Sequence, residues 1–415
     1  MLWQFLAVIF SFCVLPLLTK ILRLKLWMAL LAAALLLNIL TFMETSRIFM
    51  AMISVVTSHN SAHTMICVFL MGILGSLLKK YGFLDHIVHA LKNLIHSKKL
   101  LMCCIPAAIG VLTVPGGAYL SAPFVDELGK DIGAPPVSRA SINLSFRHIS
   151  MFVYPFSTSM LYFSATVPEI SLYSLIGLNA GFIILMQVAS FILYMPRSQA
   201  VRYAPETLKA DESSTWGNVR ELLIYSSPIY TVVLAASIFK LPAAVALTLS
   251  CLMSIGLSSR KDLTKTLRGG VVLEPILMMA GVFFLQNTIK NLEQINVLFL
   301  HIFTNSSGIV VLLAMMAGSF VLGLITGISL APLGVFLPML VSLQLSSTQL
   351  LVYCFFLWTW SFLGYYFSPL HLCQIVTVQY MKVSVGELYR SHLRLFPWVL
   401  LASFTLFGVY WQLLM

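Results

Sequence analysis

Charge is what this chain has least of. Only 9% of its 415 residues are Asp, Glu, Lys or Arg, and 14 of them are acidic, against a hydrophobic share of 59% and a mean hydropathy of +0.94. A soluble domain carries about a quarter charged residues, so a water-facing surface is excluded and the composition is that of an all-α polytopic membrane protein. Long polar connections are equally scarce. The one strongly polar stretch is 196–221, with Arg197, Arg202, Glu206, Lys209, Asp211, Glu212, Arg220 and Glu221, close to the centre of the chain. Nucleotide and hydrolase motifs are missing: there is no Walker sequence, no His-Glu-x-x-His helix and no Gly-x-Ser-x-Gly elbow. ATP hydrolysis is therefore not supplied by this chain, and the expectation is a protein that is not an enzyme and carries no cofactor. The seven cysteines lack the paired spacing of a zinc site or disulfide framework and read as small core hydrophobes. The net charge of +11 is not arranged as a basic stripe with interleaved aromatics, which excludes nucleic acid as a partner. Leu2 to Leu18 has neither a basic n-region nor a small-residue cleavage site, so it reads as a retained helix.

At about 20 apolar residues per crossing, full or nearly full spans fall at 2–18, 26–43, 64–78, 138–163, 172–195, 222–239, 241–258, 269–289, 350–380 and 396–414. Two further apolar stretches, 100–128 and 308–341, are split near their middles by Gly and Pro and fit helical hairpins that enter and leave on one side. About ten transmembrane helices plus two re-entrant hairpins result. The expected order is a first repeat, 1–195, with its hairpin at 100–128 and a broken helix at 138–163, then a linker at 196–221. A second repeat, 222–415, has its hairpin at 308–341 and a broken helix at 350–380.

The halves match in order. Phe69-Leu-Met-Gly72-Ile-Leu leads into an amphipathic stretch from Phe83 to His96, and Met278-Met-Ala-Gly281-Val-Phe leads into another from Leu292 to His301. Each is followed by a hairpin, a proline-broken span and a final helix. Lys79, Lys80, Lys92, Lys98 and Lys99 surround the first amphipathic stretch, whereas the second carries Lys290 alone. Under the positive-inside rule equivalent elements face opposite sides, so the repeats are inverted. The same rule places the loops 259–268 and 381–395 and the central linker in the cytoplasm and both termini outside, in a multi-pass cytoplasmic membrane protein surrounded by lipid bilayer.

The chemistry concentrates at the breaks. Gly110-Val-Leu-Thr113-Val-Pro-Gly-Gly117 and Gly323-Leu-Ile-Thr326-Gly-Ile-Ser329 lie 213 residues apart, and each precedes a second break, Tyr154-Pro-Phe-Ser-Thr-Ser159 or Phe367-Ser-Pro-Leu-His371. Hydrocarbon leaves exposed backbone groups unsatisfied, so such breaks persist where protein or a wet cavity surrounds them. Interrupted helices in corresponding positions of two repeats point to a transporter binding site. Helix N-termini attract anions and carbonyl ends suit small cations. The candidate substrate residues are Thr113, Pro115, Gly116, Gly117, Ser157, Thr158, Ser159, Thr326, Gly327, Ser329, Ser368 and His371. Taken one at a time, Ser and Thr in membrane helices back-bond or pack helices closely; it is the fourfold arrangement that suggests a site. Glu274, expected about five residues inside a span, and His371 are the candidates for coupling protons. Arg147 and His148 precede Pro155 by about two turns and can either face the site or reach the cytoplasmic side. A Na+ at the hairpin tips is a further expectation. His86 and His89, i and i+3 beside Asp85, offer a metal site on the first amphipathic stretch, with membrane-surface histidines as the plainer alternative.

The strings Thr113-Val-Pro-Gly-Gly-Ala-Tyr-Leu-Ser-Ala-Pro123 and Phe367-Ser-Pro-Leu-His-Leu-Cys373 resemble those of an uncharacterised membrane family, the domain-of-unknown-function 401 family, grouped with the ion transporter superfamily of secondary carriers. The resemblance runs over nearly the whole chain. It implies an inverted-repeat fold, a transport domain carrying both hairpins, a homodimer and elevator-like motion, with carboxylates or Na+ and H+ as cargo. The Ser-Asn-Thr signature of the superfamily's dicarboxylate carriers is absent from Thr113–Ala118 and Thr326–Ser329. Three readings remain: a Na+- or H+-coupled transporter of a small organic anion, a cation/proton antiporter working through Glu274, and a membrane-embedded enzyme or assembly factor.

Overall fold

The computed structural model describes residues 2–111, 118–196, 215–292, 297, 308–343 and 345–414. All regular structure among them is helical, without a strand. Four helices, Leu2–Lys20, Leu26–Leu40, Thr45–Thr57 and His59–Lys80, lead to the amphipathic helix Phe83–Leu94. The first hairpin is Lys98–Gly110 and Ala118–Asp131; the first broken helix is Pro136–Arg147, Ser150–Val153 and Thr158–Thr166. Leu172–Tyr194 closes this part. After residue 214 come Thr215–Ser237, Ala243–Leu257, Leu263–Gly270 and Leu273–Lys290. The second hairpin is Gly308–Thr326 and Leu330–Ser342, the second broken helix is Ser347–Tyr366 and Leu372–Met381, and Val385–Leu414 is the last helix.

Among the described residues five segments are long and apolar enough to cross a membrane: His59–Lys80, Leu172–Tyr194, Thr215–Ala236, Leu263–Lys290 and Val385–Leu414. Their outward side chains include Ile184, Ile192, Trp398 and Leu401, each more than half exposed. Polar residues occupy the interior instead. In Pro136–Arg147 every residue from Arg139 to Arg147 is buried, among them two arginines, two serines and an asparagine. Such an arrangement suits a chain whose surroundings are hydrocarbon and whose polar groups must find partners inside.

Several boundaries differ from the sequence reading. Thr45–Thr57 is a helix where no element was expected, and it packs by donation from the Asn287 side chain to the Ala51 carbonyl (3.2 Å) and to Ser54 Oγ (2.7 Å). Residues 215–221, expected in the linker, form the first two turns of Thr215–Ser237, and 197–214 lie outside the described residues. The 259–268 loop contains most of the short helix Leu263–Gly270. The expected loop at 381–395 is largely helix, because Ser384 and Glu387 cap each other: the Ser384 N–H donates to Glu387 Oε2 (2.9 Å) and the Glu387 N–H to Ser384 Oγ (3.2 Å). This reciprocal pair starts a 30-residue helix that continues through Pro397. Most of the second amphipathic stretch, 293–301, lies outside the described residues apart from 297.

Glycine sets how closely each hairpin meets its broken helix. A Cβ at Gly110 would strike the carbonyl oxygen of Arg147, and one at Gly364 would strike that of Phe320. At Gly323 it would lie 2.9 Å from the Ser361 oxygen and the Tyr365 nitrogen. Small residues let helix backbones approach in this way inside membranes. A serine of the broken helix then ties down the carboxyl end of the first hairpin arm in both places. Ser150 Oγ donates to the Gly110 carbonyl at 2.8 Å, and Ser368 Oγ donates to the Leu324 carbonyl at 2.6 Å.

Candidate functional site

The first broken helix breaks twice. Pro136–Arg147 ends at His148, a single turn follows, and Tyr154-Pro-Phe separates that turn from Thr158–Thr166. Pro155 has no N–H to continue the helix, and Ser157 caps the new one by accepting from the Met160 N–H at 3.4 Å. In the second broken helix Ser347–Tyr366 stops at Phe367, Pro369 lies in a turn that the His371 N–H closes by donating to the Ser368 carbonyl at 3.2 Å, and His371 is the N-cap of Leu372–Met381. The hairpin tip at Gly327, with φ +68°, sits against Leu370. A side chain there would meet both the left-handed backbone penalty and that contact.

These breaks enclose a cavity of about 370 Å3. Ser157, Thr158 and Ser159 line it from one broken helix, Tyr365, His371 and Cys373 from the other, Gly327 from the hairpin tip, and Glu274 from the start of Leu273–Lys290. Ser159 Oγ and Ser329 Oγ are 3.3 Å apart, joining the second hairpin to the wall. Arg147 and His148 also line it. A second cavity of about 340 Å3, with Lys79, Ser76 and Tyr154 in its wall, shares Thr158 and Pro275 with the first.

Arg147 dominates the chemistry. Its side chain is 5% exposed, its Nη1 has no hydrogen-bond partner, and no ion pair of a described residue includes it. The other buried arginine of the same helix, Arg139, is answered by Asp126, with Nε 3.4 Å from the carboxylate. A guanidinium withdrawn from water costs several kcal/mol unless compensated. Here it faces a cavity onto which two helix N-termini also open. The histidines extend this polar wall. His148 Nδ1 donates to the Leu144 carbonyl at 2.5 Å, and His148 Nε2 stands 3.2 Å from both Tyr365 Oη and His371 Nε2. His371 Nδ1 is buried without a partner.

The residues picked from the sequence divide as follows. Ser157, Thr158, Ser159, Gly327, His371 and Glu274 share the cavity wall, and Ser329 joins it through Ser159. Thr326 bonds the backbone of its own hairpin, at Leu322 (2.8 Å) and Ile328 (3.3 Å). The Ser368 hydroxyl is engaged by Leu324, so this residue braces the hairpin and does not face the cavity. Thr113, Pro115, Gly116 and Gly117 lie outside the described residues. Glu274 is an exposed side chain in the first turn of Leu273–Lys290, where a carboxylate suits the helix dipole, and it falls within the membrane-crossing segment Leu263–Lys290. His86 and His89 both contact Glu221, at 2.6 and 3.2 Å, which accounts for the pair without a metal. Among the described residues the nearest approach to a metal-like grouping is His148, His371 and Cys373, whose nitrogen and sulfur atoms lie within 4.8 Å of one another. The 3.2 Å contact between the two Nε2 atoms is the length of an N–H···N hydrogen bond.

Sequence reading did not foresee how the wall is held. Asn143, on the buried polar helix, donates to Thr377 Oγ1 (3.1 Å) and to the Ala118 carbonyl (3.3 Å), and accepts from Ser121 Oγ (2.7 Å). It thereby joins the second arm of the first hairpin to the helix that His371 caps. Asn143→Ala is expected to lower the thermal unfolding midpoint in detergent, since each buried polar group left unpaired costs about 1–3 kcal/mol. An unchanged midpoint would show that these bonds are not what joins the elements.

Helices long enough to span a bilayer, enclosing a polar interior and two glycine-packed hairpins, define an all-helical integral membrane protein. The chain belongs to the family described as protein of unknown function DUF401, whose model matches residues 3–409. No curated protein matches it.

Proposed function

We propose that this protein is a secondary active transporter of a small organic anion, carboxylate-like, coupled to H+ or Na+. The observation that carries this reading is the buried, unpaired Arg147 in the cavity wall. A guanidinium presents a rigid fork of donors that matches a carboxylate. With no counterion from the described residues, the missing negative charge belongs to a ligand. The N-termini at Thr158 and Leu372 add oriented N–H groups of the same sign, and the Ser157, Thr158 and Ser159 hydroxyls supply further donors. A volume near 370 Å3 is at the small end of ligand pockets, which favours a short acid over a lipid or a peptide.

The hairpin and broken-helix pairs support a repeat organisation, because both halves use the same glycine contact and the same serine bond. In this reading the two repeats are inverted, the hairpins are re-entrant, and the termini are external with the central linker cytoplasmic. The cavity lined by Lys79 is then the cytoplasmic approach, its lysine drawing anions inward. Alternating access moves the hairpins and broken helices together, in the elevator manner. Purified protein in liposomes should take up labelled acetate, lactate, succinate or citrate under an imposed H+ or Na+ gradient. Absence of flux for the whole panel under either gradient would count decisively against the proposal. Exchange of Na+ for H+ that is lost in Glu274→Gln would favour the antiporter instead.

A further inference from the structure

The cavity wall contains two imidazoles in contact, and we propose that this pair makes H+ the coupling ion: one proton enters at Nδ1 of His371 with each anion bound at Arg147. The inference rests on the anion-transport reading and adds to it the identity, place and number of the coupling ion.

The protonation pattern follows from the neighbours. A carbonyl only accepts, so His148 Nδ1, 2.5 Å from the Leu144 oxygen, carries a hydrogen. In the neutral ring His148 Nε2 is then a bare acceptor. His371 Nε2 lies 3.2 Å from it, and two bare lone pairs at that distance repel, so the hydrogen between them belongs to His371. Tyr365 Oη also stands 3.2 Å from the same nitrogen. What is left is His371 Nδ1, a free base that is buried and unpartnered. It is the one nitrogen of the pair with a vacant lone pair for an incoming proton.

Occupancy of the cavity decides whether that proton is held. The groups facing His371 are the Arg147 guanidinium, the His148 and His392 rings, the Tyr365 hydroxyl, the Tyr366 carbonyl and the Cys373 thiol, with Glu274 exposed elsewhere on the wall. His392 is itself buried with both ring nitrogens unpartnered. Without an anion, a second positive charge beside Arg147 is opposed by like-charge repulsion. A bound carboxylate attracts both charges, so it favours the proton, and by reciprocity the proton tightens the anion. His148 is a positioning residue here. Its fixed tautomer orients His371 and accepts the hydrogen bond that the imidazolium strengthens.

Calorimetric titration of the purified full chain in detergent, with acetate, lactate, succinate or citrate in two buffers of different ionisation enthalpy, reads protons taken up per anion bound. About one proton per anion is expected for the wild type, with affinity falling about tenfold per pH unit on the alkaline side, as one-proton linkage requires. His371→Gln should bring the uptake close to zero in whatever binding remains. His148→Ala should move the midpoint of the pH profile to lower pH. Anion binding by the wild type without proton uptake would overturn the inference and leave the transport reading intact. Full uptake retained in His371→Gln, a requirement for Na+ in its place, or stoichiometric zinc in the purified protein would overturn it as well. If no acid of the panel binds the wild type, the anion reading fails first and this one falls with it.

Discussion

Arg147→Met is expected to abolish anion uptake and, in the same protein, to raise the thermal unfolding midpoint. The two effects have opposite signs because one group is responsible for both. Losing one partner of a buried charge pair costs about 2–5 kcal/mol of binding, which is roughly a thirtyfold to several-thousandfold loss of affinity. The unliganded fold, however, holds Arg147 at 5% exposure with Nη1 unpaired, and a buried ion without a partner costs several kcal/mol of desolvation that an apolar side chain of similar length avoids. Uptake into liposomes and thermal unfolding of the detergent-solubilised protein are the two measurements. Arg147→Lys should recover part of the uptake, because the charge returns without the planar fork. A well-folded methionine variant that transports within a few-fold of wild type would remove the basis of the functional proposal. A large drop in its midpoint would mean that Arg147 braces the fold.

The second large effect concerns the seam between the second hairpin and its broken helix. Gly364→Ala should destabilise by at least the 1–3 kcal/mol or so typical of overpacking, because its Cβ would press on the backbone of Phe320, with Cα at 3.0 Å, and backbone cannot yield as a side-chain tip does. Gly408→Ala and Gly386→Ala supply the contrast. Both lie on the last helix with nothing within 4 Å of the added Cβ, so each should gain about 0.5–1 kcal/mol from the lower entropy of the unfolded chain and better helix propensity. A thermal series over the three variants in detergent tests the ordering. If Gly364→Ala unfolds no earlier than wild type, the close crossing is not a determinant of the fold.

Much of the architecture was legible along the chain because its signals are local. The stretches 100–128 and 308–341 each divide into two helices, Lys98–Gly110 with Ala118–Asp131 and Gly308–Thr326 with Leu330–Ser342. Pro155 and Pro369 stand at the breaks they were expected to cause, since a missing N–H acts wherever the residue sits. The errors were also local. Ser384-Val-Gly-Glu387 is a capping box in plain view, and it turned an expected loop into helix. Arg390 and Arg394, within the stretch expected as a loop, both lie on the last helix, where long basic side chains can extend toward the interface.

The cavity was legible only in part. Hydroxyls beside the breaks could be picked out from type and position, and Ser157, Thr158, Ser159, Gly327 and His371 do come together. Ser368 could not be separated from them, because whether a hydroxyl is free depends on which carbonyl lies above it, and for Ser368 that is Leu324 from another element. Arg147 was ambiguous for the opposite reason: a lone arginine near a helix end reads equally as an interfacial anchor or a buried charge.

What the sequence determined by itself is the class of environment, the helical content, and the places where helices must stop. These follow from composition, from periodicity, and from the fixed covalent constraints of Gly and Pro. Only the tertiary structure decided that Arg147 has no counterion among the described residues, that His148 Nε2 meets His371 Nε2, and that His371 Nδ1 is left free. Whether a polar group is satisfied depends on the partner opposite it. Such a partner can lie 223 residues away along the chain, as His371 does from His148.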